Sequence, residues 1–212
     1  MASRRGQSLR IRKRPTFRQR FGLDRSGPTP RETRPGQPLR PWTIPNLIGY
    51  VRLAAIPVFL VLAFNSEDEP DIWAAVLFWL IAVGDYVDGF VARATGQYSR
   101  MGALLDPVVD RLTILSGAAV CWHFELLPRW ALALLAGREL ITLILAQIAL
   151  RTGQPLEINW FGRIAVFPVM GSIFWAMVFE STVWDVLLIA GVALAIMATV
   201  VYVRTGLRSL DD

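Results

Sequence analysis

The chain is built around apolar runs that are each close to 20 residues long. Of its 212 residues 54% are hydrophobic, and the mean hydropathy is +0.43. About 20 apolar residues is the length that an α-helix needs to cross a bilayer, where backbone hydrogen bonds must be satisfied within the segment. The sequence therefore predicts an all-α, polytopic membrane protein with six transmembrane helices. The predicted spans are residues 44–64, 72–93, 104–124, 130–150, 161–179 and 183–203.

Basic residues lie mainly on one side of these spans. The loops on the other side carry a single basic residue, Arg129. Because short cytoplasmic loops are enriched in arginine and lysine, the asymmetry predicts that both termini are cytoplasmic. One lysine against 21 arginines favours a GC-rich bacterial source, and hence a multi-pass protein of the bacterial plasma membrane. The basic residues that set this orientation are Arg93, Arg100, Arg151, Arg163, Arg204 and Arg208.

The first 40 residues differ in composition from the rest. They hold 12 of the 22 basic residues and only two of the 17 acids. An Arg- and Pro-rich segment without a sustained apolar face is typical of disorder, so residues 1–40 are predicted to be a cytoplasmic tail and residues 41–212 the membrane domain. The tail has no apolar core of a secretory signal. Contact with anionic lipids and an organellar transit peptide remain alternatives, and no nucleic-acid partner is expected.

Two residue types exclude familiar catalytic classes. Cys121 is the only cysteine and His123 the only histidine, and His123 falls at the external end of a span. A Ser-His-Asp arrangement and a histidine-based metal site are therefore not expected.

Four carboxylates interrupt the apolar pattern between the second and third spans. Asp85 and Asp88 are three residues apart, and Asp106 and Asp110 are four apart, so each pair shares a helix face. The two helices are joined by a short turn and should be antiparallel neighbours. Asp85 and Asp110 each lie eight residues from the cytoplasmic end of the motif, about 12 Å at the α-helical rise. All four acids are therefore predicted to converge.

Converging carboxylates need compensating cations in a low-dielectric setting. Two divalent ions would cancel the formal charge of the four acids, and oxygen-only ligands favour Mg²⁺ or Mn²⁺. Paired metals suit phosphoryl-type transfer. Two alternatives remain open: structural ion pairs with Arg93, Arg100 and Arg111, and an ion or proton pathway.

The spacing of eight residues around these acids resembles the signature of the CDP-alcohol phosphatidyltransferase family. The resemblance covers about residues 42–204. The pattern is Asp85-x₂-Asp88-Gly89-x₂-Ala92-Arg93-x₈-Gly102-x₃-Asp106-x₃-Asp110.

The resemblance implies roles for these residues. The four aspartates would bind two divalent metals, with Asp110 as general base. The residues expected to hold the CDP part of CDP-diacylglycerol are Asp88, Gly89, Ala92, Arg93 and Gly102. An acceptor hydroxyl would attack the phosphatidyl phosphorus and expel CMP, and the family implies a homodimer.

The acceptor is predicted from other segments. "TIPNLIGYVRLAAIPVFL", "GRELITL" and "NWFGRIA" resemble the branch of the family that contains phosphatidylglycerophosphate synthase and cardiolipin synthase. Arg138 and Arg163 would suit a phosphate-bearing acceptor, which favours glycerol 3-phosphate; a structural ion pair or a topology anchor is the alternative for each. Phosphatidylglycerol is the second acceptor. The rivals from other classes are a small cation transporter and a catalytically silent scaffold.

Overall fold

The computed structural model describes the backbone of residues 37–152 and 160–211, and the side chains of residues 37–144 and 165–200. Within these residues the chain forms six α-helices and no strand, which confirms the predicted all-α class. Residues 1–36 of the predicted tail lie outside the described part. The helices are α1 Ile44–Phe64, α2 Ile72–Thr95, α3 Arg100–His123, α4 Arg129–Thr152, α5 Trp160–Ala176 and α6 Thr182–Asp211.

Local capping sets the helix ends nearest the acidic motif. Gly96 adopts a left-handed conformation, with φ 67°, and ends α2 in the manner that favours glycine. Ser99 then caps α3, because its hydroxyl accepts a hydrogen bond from the Gly102 N–H at 2.9 Å. Since α3 begins at Arg100, it starts four residues before the predicted third span. The turn between α2 and α3 is thus as short as the sequence predicted.

The helices pack so that α1 contacts both α2 and α3, while α5 packs on α6 and α4 joins α3 to α6. The core contains the rings of Phe59 and Phe78, whose centroids are 5.4 Å apart. A Cβ atom on Gly117 of α3 would lie 2.6 Å from Phe78 and 2.7 Å from Ile173. Glycine at position 117 therefore allows α3 to lie close to α2 and α5.

Three of the described helices are long and apolar enough to cross a membrane: Ile44–Phe64, Ile72–Thr95 and Thr182–Val200. Large apolar side chains remain exposed on the bundle, Phe167 at 80% among them. Such extended apolar exposure is what a lipid-facing surface requires. Helices α3 and α4 carry charged residues within their length, and six spans with cytoplasmic termini remain a prediction.

Candidate active site

A buried arginine lies at the centre of the acidic motif. The side chain of Arg52, on α1, is 4% exposed. Its Nη1 lies 3.3 Å from Asp85 Oδ1 and 2.9 Å from Asp88 Oδ2, and its Nη2 lies 2.9 Å from Asp110 Oδ1. Its Nε donates a hydrogen bond to the Ile81 carbonyl at 3.0 Å. One guanidinium thus joins α1 to acids on α2 and α3, and we call these four charged residues the Arg52 cluster.

Gly84 of α2 leaves room for the aliphatic part of the Arg52 side chain. A Cβ atom on Gly84 would lie 2.9 Å from Arg52 Cδ and 3.0 Å from Cγ. Real Cβ atoms do not approach that closely, so any larger residue at position 84 would displace the arginine. The glycine immediately before Asp85 is therefore a requirement of the Arg52 cluster.

The carboxylates differ in their access to solvent. The Asp88 side chain is 6% exposed, whereas Asp110 is 34% and Asp85 48% exposed. With Asp106 included, the four acids carry more negative charge than one arginine offsets. Because a buried carboxylate is costly without compensation, Asp88 depends most on the positive charge of Arg52.

A cavity of about 240 Å³ lies beside the Arg52 cluster and includes Asp88 in its wall. Asp106 also lines it, so the cavity brings together an acid from each predicted pair. The signature residues in the wall are Asp88, Gly89, Ala92, Arg93, Gly102 and Asp106. Six of the eight residues that resemble the family signature thus share one cavity, and the remaining two, Asp85 and Asp110, contact Arg52 next to it.

Asn46 forms a second polar part of the cavity wall that the sequence reasoning missed. This residue is 2% exposed. Its Nδ2 donates hydrogen bonds to the carbonyls of Arg40 and Pro41 at 3.1 and 3.0 Å, and its Oδ1 accepts one from Ser99 Oγ at 2.9 Å. A Cβ atom on Gly102 would lie 2.7 Å from that Oδ1. Gly102 therefore makes room for the side chain that ties the start of α1 to the start of α3.

A second buried ion cluster lies on α3 and α4. Glu139 is 1% exposed. Its Oε2 lies 3.0 Å from Arg111 Nε, and its Oε1 contacts Arg138 Nη1. Arg138 Nε also donates to Thr199 Oγ1 of α6 at 3.2 Å. We call these four residues the Glu139 cluster.

The predicted acceptor residues are only partly described. Arg138 makes the structural ion pair that was one of its two interpretations. Arg163 lies on α5, and its side chain is outside the described residues. Because only one of the two side chains is described, an acceptor site formed by Arg138 and Arg163 stays a prediction.

The four aspartates of the predicted metal site supply oxygen donors, and three of them contact Arg52. In the part of the chain with described side chains, no group of three or more His, Cys, Asp or Glu residues is placed as metal ligands. One oxygen each of Asp85, Asp88 and Asp110 is directed at the Arg52 guanidinium. Carboxylate oxygens alone remain the donor set that fits Mg²⁺ or Mn²⁺.

The partner of Arg111 differs from the ion-pair alternative drawn from sequence. That alternative paired the four acids with Arg93, Arg100 and Arg111. The structure pairs Arg111 with Glu139, and three of the acids with Arg52. Arg52 was visible as one arginine within the apolar run of the first predicted span, and a charge in such a position requires a partner from another helix.

The Arg52 cluster and the glycine-lined cavity thus lie side by side on neighbouring helices. The family model described as CDP-alcohol phosphatidyltransferase matches residues 42–201, and the chain belongs to that family. The resemblance seen in the sequence is thereby confirmed.

Individual relatives carry two different names. The chain is 40% identical over 132 residues to "Cardiolipin synthase (CMP-forming)" of Streptomyces coelicolor, covering 60% of this chain and 61% of that relative. It is 28% identical over 177 residues to "CDP-diacylglycerol--glycerol-3-phosphate 3-phosphatidyltransferase" of Escherichia coli K12, covering 80% and 94%. A Bacillus subtilis protein of the same name is 28% identical over 135 residues, covering 58% and 70%. The match thus spans about three fifths of the Streptomyces relative.

Proposed function

We propose that the protein is an enzyme of phospholipid biosynthesis that transfers the phosphatidyl group from CDP-diacylglycerol to an alcohol and releases CMP. The observation that carries the proposal is the cavity itself. It holds Asp88 and Asp106 together with Gly89, Ala92, Arg93 and Gly102, directly beside the buried Arg52 cluster. Within the family signature, this is the combination expected to hold a CDP group next to metal ligands.

Asp85, Asp88, Asp106 and Asp110 would hold two divalent cations, Mg²⁺ or Mn²⁺. Such ions, when bound, neutralise charge on the phosphates and on the departing CMP. The carboxylates that would hold them come from two helices that a short turn connects, so their relative position is fixed by local structure.

The nucleotide would lie over the α2 backbone at Gly89. A Cβ atom there would lie 3.1 Å from Arg93 Nη1, so the guanidinium lies across the glycine in the cavity wall. A guanidinium in this position is suited to a phosphate oxygen of the CDP group. Gly89 keeps the surface beside it open.

Asp110 would act as the general base. Its side chain is 34% exposed, which leaves it more accessible than Asp88 at 6%. It would take the proton of the acceptor hydroxyl while the acceptor oxygen bonds to the phosphatidyl phosphorus and the bond from phosphorus to the CMP oxygen breaks. The proton then resides on the carboxyl group and the electron pair leaves with CMP.

For the acceptor we now place phosphatidylglycerol first, which would give cardiolipin. The Streptomyces relative, 40% identical, bears the name cardiolipin synthase. Arg138, the cation that favoured glycerol 3-phosphate in the sequence, is engaged with Glu139 and Thr199. Glycerol 3-phosphate remains the second candidate because the relative named for it aligns over 80% of the chain.

The proposal also includes the location, topology and oligomeric state of the protein. We place the protein in the bacterial plasma membrane with six spans, both termini cytoplasmic and the cavity facing the cytoplasm. The three long apolar helices support membrane insertion. A homodimer is proposed from the family alone.

The test is CMP release by the purified protein in the presence of CDP-diacylglycerol and Mg²⁺. Phosphatidylglycerol, glycerol 3-phosphate, inositol 1-phosphate and serine would be offered in separate reactions, with Asp110→Asn as the control variant. We expect release with phosphatidylglycerol that Asp110→Asn abolishes. Release with glycerol 3-phosphate alone would reverse our order of acceptors. No release with any acceptor from folded, metal-loaded protein would contradict the proposal and favour the transporter alternative.

A further inference from the structure

Arg52 contacts the proposed catalytic acids, yet it has no role in the phosphatidyl transfer proposed above. Its side chain is nearly fully buried, and each of its two terminal nitrogens lies within 2.9 Å of a carboxylate oxygen. Its Nε is fixed by the Ile81 carbonyl, and Gly84 leaves space for its arm. The protein thus holds a permanent cation among the acids that are proposed to bind metals.

We propose that Arg52 is a positioning residue that acts as the internal counter-cation of the acidic site. It holds Asp85, Asp88 and Asp110 together in the metal-free protein and opposes divalent metal binding at the same carboxylates. The inference rests on the metal site proposed above. Arg52 is not proposed to touch substrate.

The geometry gives the reason for the opposition. The guanidinium contacts one oxygen of each of three carboxylates, namely Asp85 Oδ1, Asp88 Oδ2 and Asp110 Oδ1. A divalent ion bound by those carboxylates would share these acids with a positive charge that cannot be deprotonated. Like charges at such short range repel strongly where little water is present. Arg52 and the metal therefore compete for one set of negative charges.

The same geometry gives Arg52 a stabilising role when metal is absent. Removal of one partner of a buried ion pair leaves an uncompensated buried charge. Without Arg52, Asp88 would be left in that state, with Asp85 and Asp110 close by. The metal-free bundle should therefore depend on Arg52 more than the metal-bound bundle does.

If Arg52 were only a strut, meaning a structural link between α1 and its neighbouring helices, the expected results would differ. Loss of a strut would destabilise the protein equally with and without metal, and would leave metal affinity unchanged or weaken it. Loss of a competing cation would tighten metal binding, because the repulsion between the guanidinium and the metal ion would be removed. The sign of the change in affinity therefore separates the two roles.

The experiment compares full-length wild type, Arg52→Gln and Arg52→Lys in detergent. Arg129→Gln is the matched control, since Arg129 pairs with the exposed Glu125 at 3.0 Å. Free Mn²⁺ is followed by electron paramagnetic resonance during titration, and thermal unfolding is measured in chelator and in saturating Mn²⁺. Neither readout depends on catalysis.

For Arg52→Gln we expect an Mn²⁺ Kd about tenfold lower than that of wild type, within the usual size of coupling between sites. We also expect a lower Tm in chelator and a larger rise in Tm on addition of Mn²⁺. Arg52→Lys keeps the charge and should retain a Kd closer to that of wild type. Arg129→Gln should match wild type in both readouts.

Three results would overturn the inference. An unchanged or higher Kd in Arg52→Gln, with wild type binding Mn²⁺ normally, would leave Arg52 as a strut while the metal site stands. Failure of Arg52→Gln to fold even in Mn²⁺ would do the same, since metal should replace the lost charge. No Mn²⁺ binding by folded wild type would contradict the proposed metal site, and the inference with it.

Discussion

Among the described side chains, two ion clusters, each centred on a buried residue, have opposite charge balance. The Arg52 cluster places three aspartates around one arginine. The Glu139 cluster places two arginines around one glutamate. They meet at consecutive residues of α3, because Asp110 belongs to the first and Arg111 to the second. Neighbouring residues of one helix thus contact two different charge systems.

The two clusters differ in whether they border the cavity. Asp88 of the Arg52 cluster lines the cavity, and that cavity includes no member of the Glu139 cluster. An acidic excess beside a cavity can bind cations and a phosphate-bearing ligand. The buried Glu139, held by arginines of α3 and α4, one of them bonded to α6, joins three helices. We therefore expect changes in the first cluster to affect chemistry and changes in the second to affect stability.

The largest effect on activity is expected for Asp106→Asn. Asp106 lines the cavity, and it is not among the acids that pair with Arg52 in the described structure. Loss of a metal-binding carboxylate should remove several kcal/mol of charge stabilisation, which corresponds to at least about 100-fold in rate. CMP release at saturating CDP-diacylglycerol measures this, and Tm should change little. A variant with near-normal release would place the metals elsewhere.

The largest effect on stability is expected for Glu139→Gln. The change leaves Arg111 and Arg138 without their shared carboxylate in the bundle, at a cost of about 3–5 kcal/mol. Thermal unfolding in detergent should show it, while folded protein keeps most of its rate of CMP release. If the rate fell as far as in Asp106→Asn with Tm unchanged, the division between the clusters would be wrong.

The matched control for that variant is Glu125→Gln. Glu125 pairs with Arg129 at 3.0 Å, but its side chain is 71% exposed. Exposed pairs contribute about 0–1 kcal/mol, so Tm should hardly change. Equal losses in the two variants would show that burial of Glu139 is not the cause.

A smaller effect is expected for Gly102→Ala, which tests the part of the cavity wall that lies outside both ion clusters. The new Cβ would lie 2.7 Å from Asn46 Oδ1, and overpacking of this kind costs about 1–3 kcal/mol. Displacement of Asn46 should also raise the KM for CDP-diacylglycerol. Gly137→Ala is the control, because a Cβ there meets no atom within 4 Å. Equal KM values in both variants would remove Asn46 from the binding site.

The smallest effect is expected for Ser99→Ala. Its hydroxyl caps α3 through the Gly102 N–H at 2.9 Å and donates to Asn46 Oδ1 at 2.9 Å. Loss of an N-cap costs about 1 kcal/mol, which unfolding measurements can resolve. Ser99→Thr should restore most of it. No change in Tm for Ser99→Ala would mean that water replaces the cap.

The sequence predicted the parts of this site that depend on local spacing. Asp85 and Asp88 on one helix, and Asp106 and Asp110 on the next, follow from helical periodicity and a short turn. The contacts missed are those between residues that are distant in sequence. Arg52 pairs with acids 33, 36 and 58 residues away, and Arg138 bonds to Thr199, 61 residues away. Periodicity within one helix cannot show which neighbour supplies the partner.

We propose that the four aspartates at the cavity and beside it form the metal and catalytic centre. The most direct test is a crystal structure of the wild-type protein with Mn²⁺ and a CDP-containing ligand, read by anomalous scattering at the manganese edge. We predict manganese peaks among Asp85, Asp88, Asp106 and Asp110, with the nucleotide against Gly89 and Arg93. Peaks confined to other residues, in protein that releases CMP at the same Mn²⁺ concentration, would contradict the account.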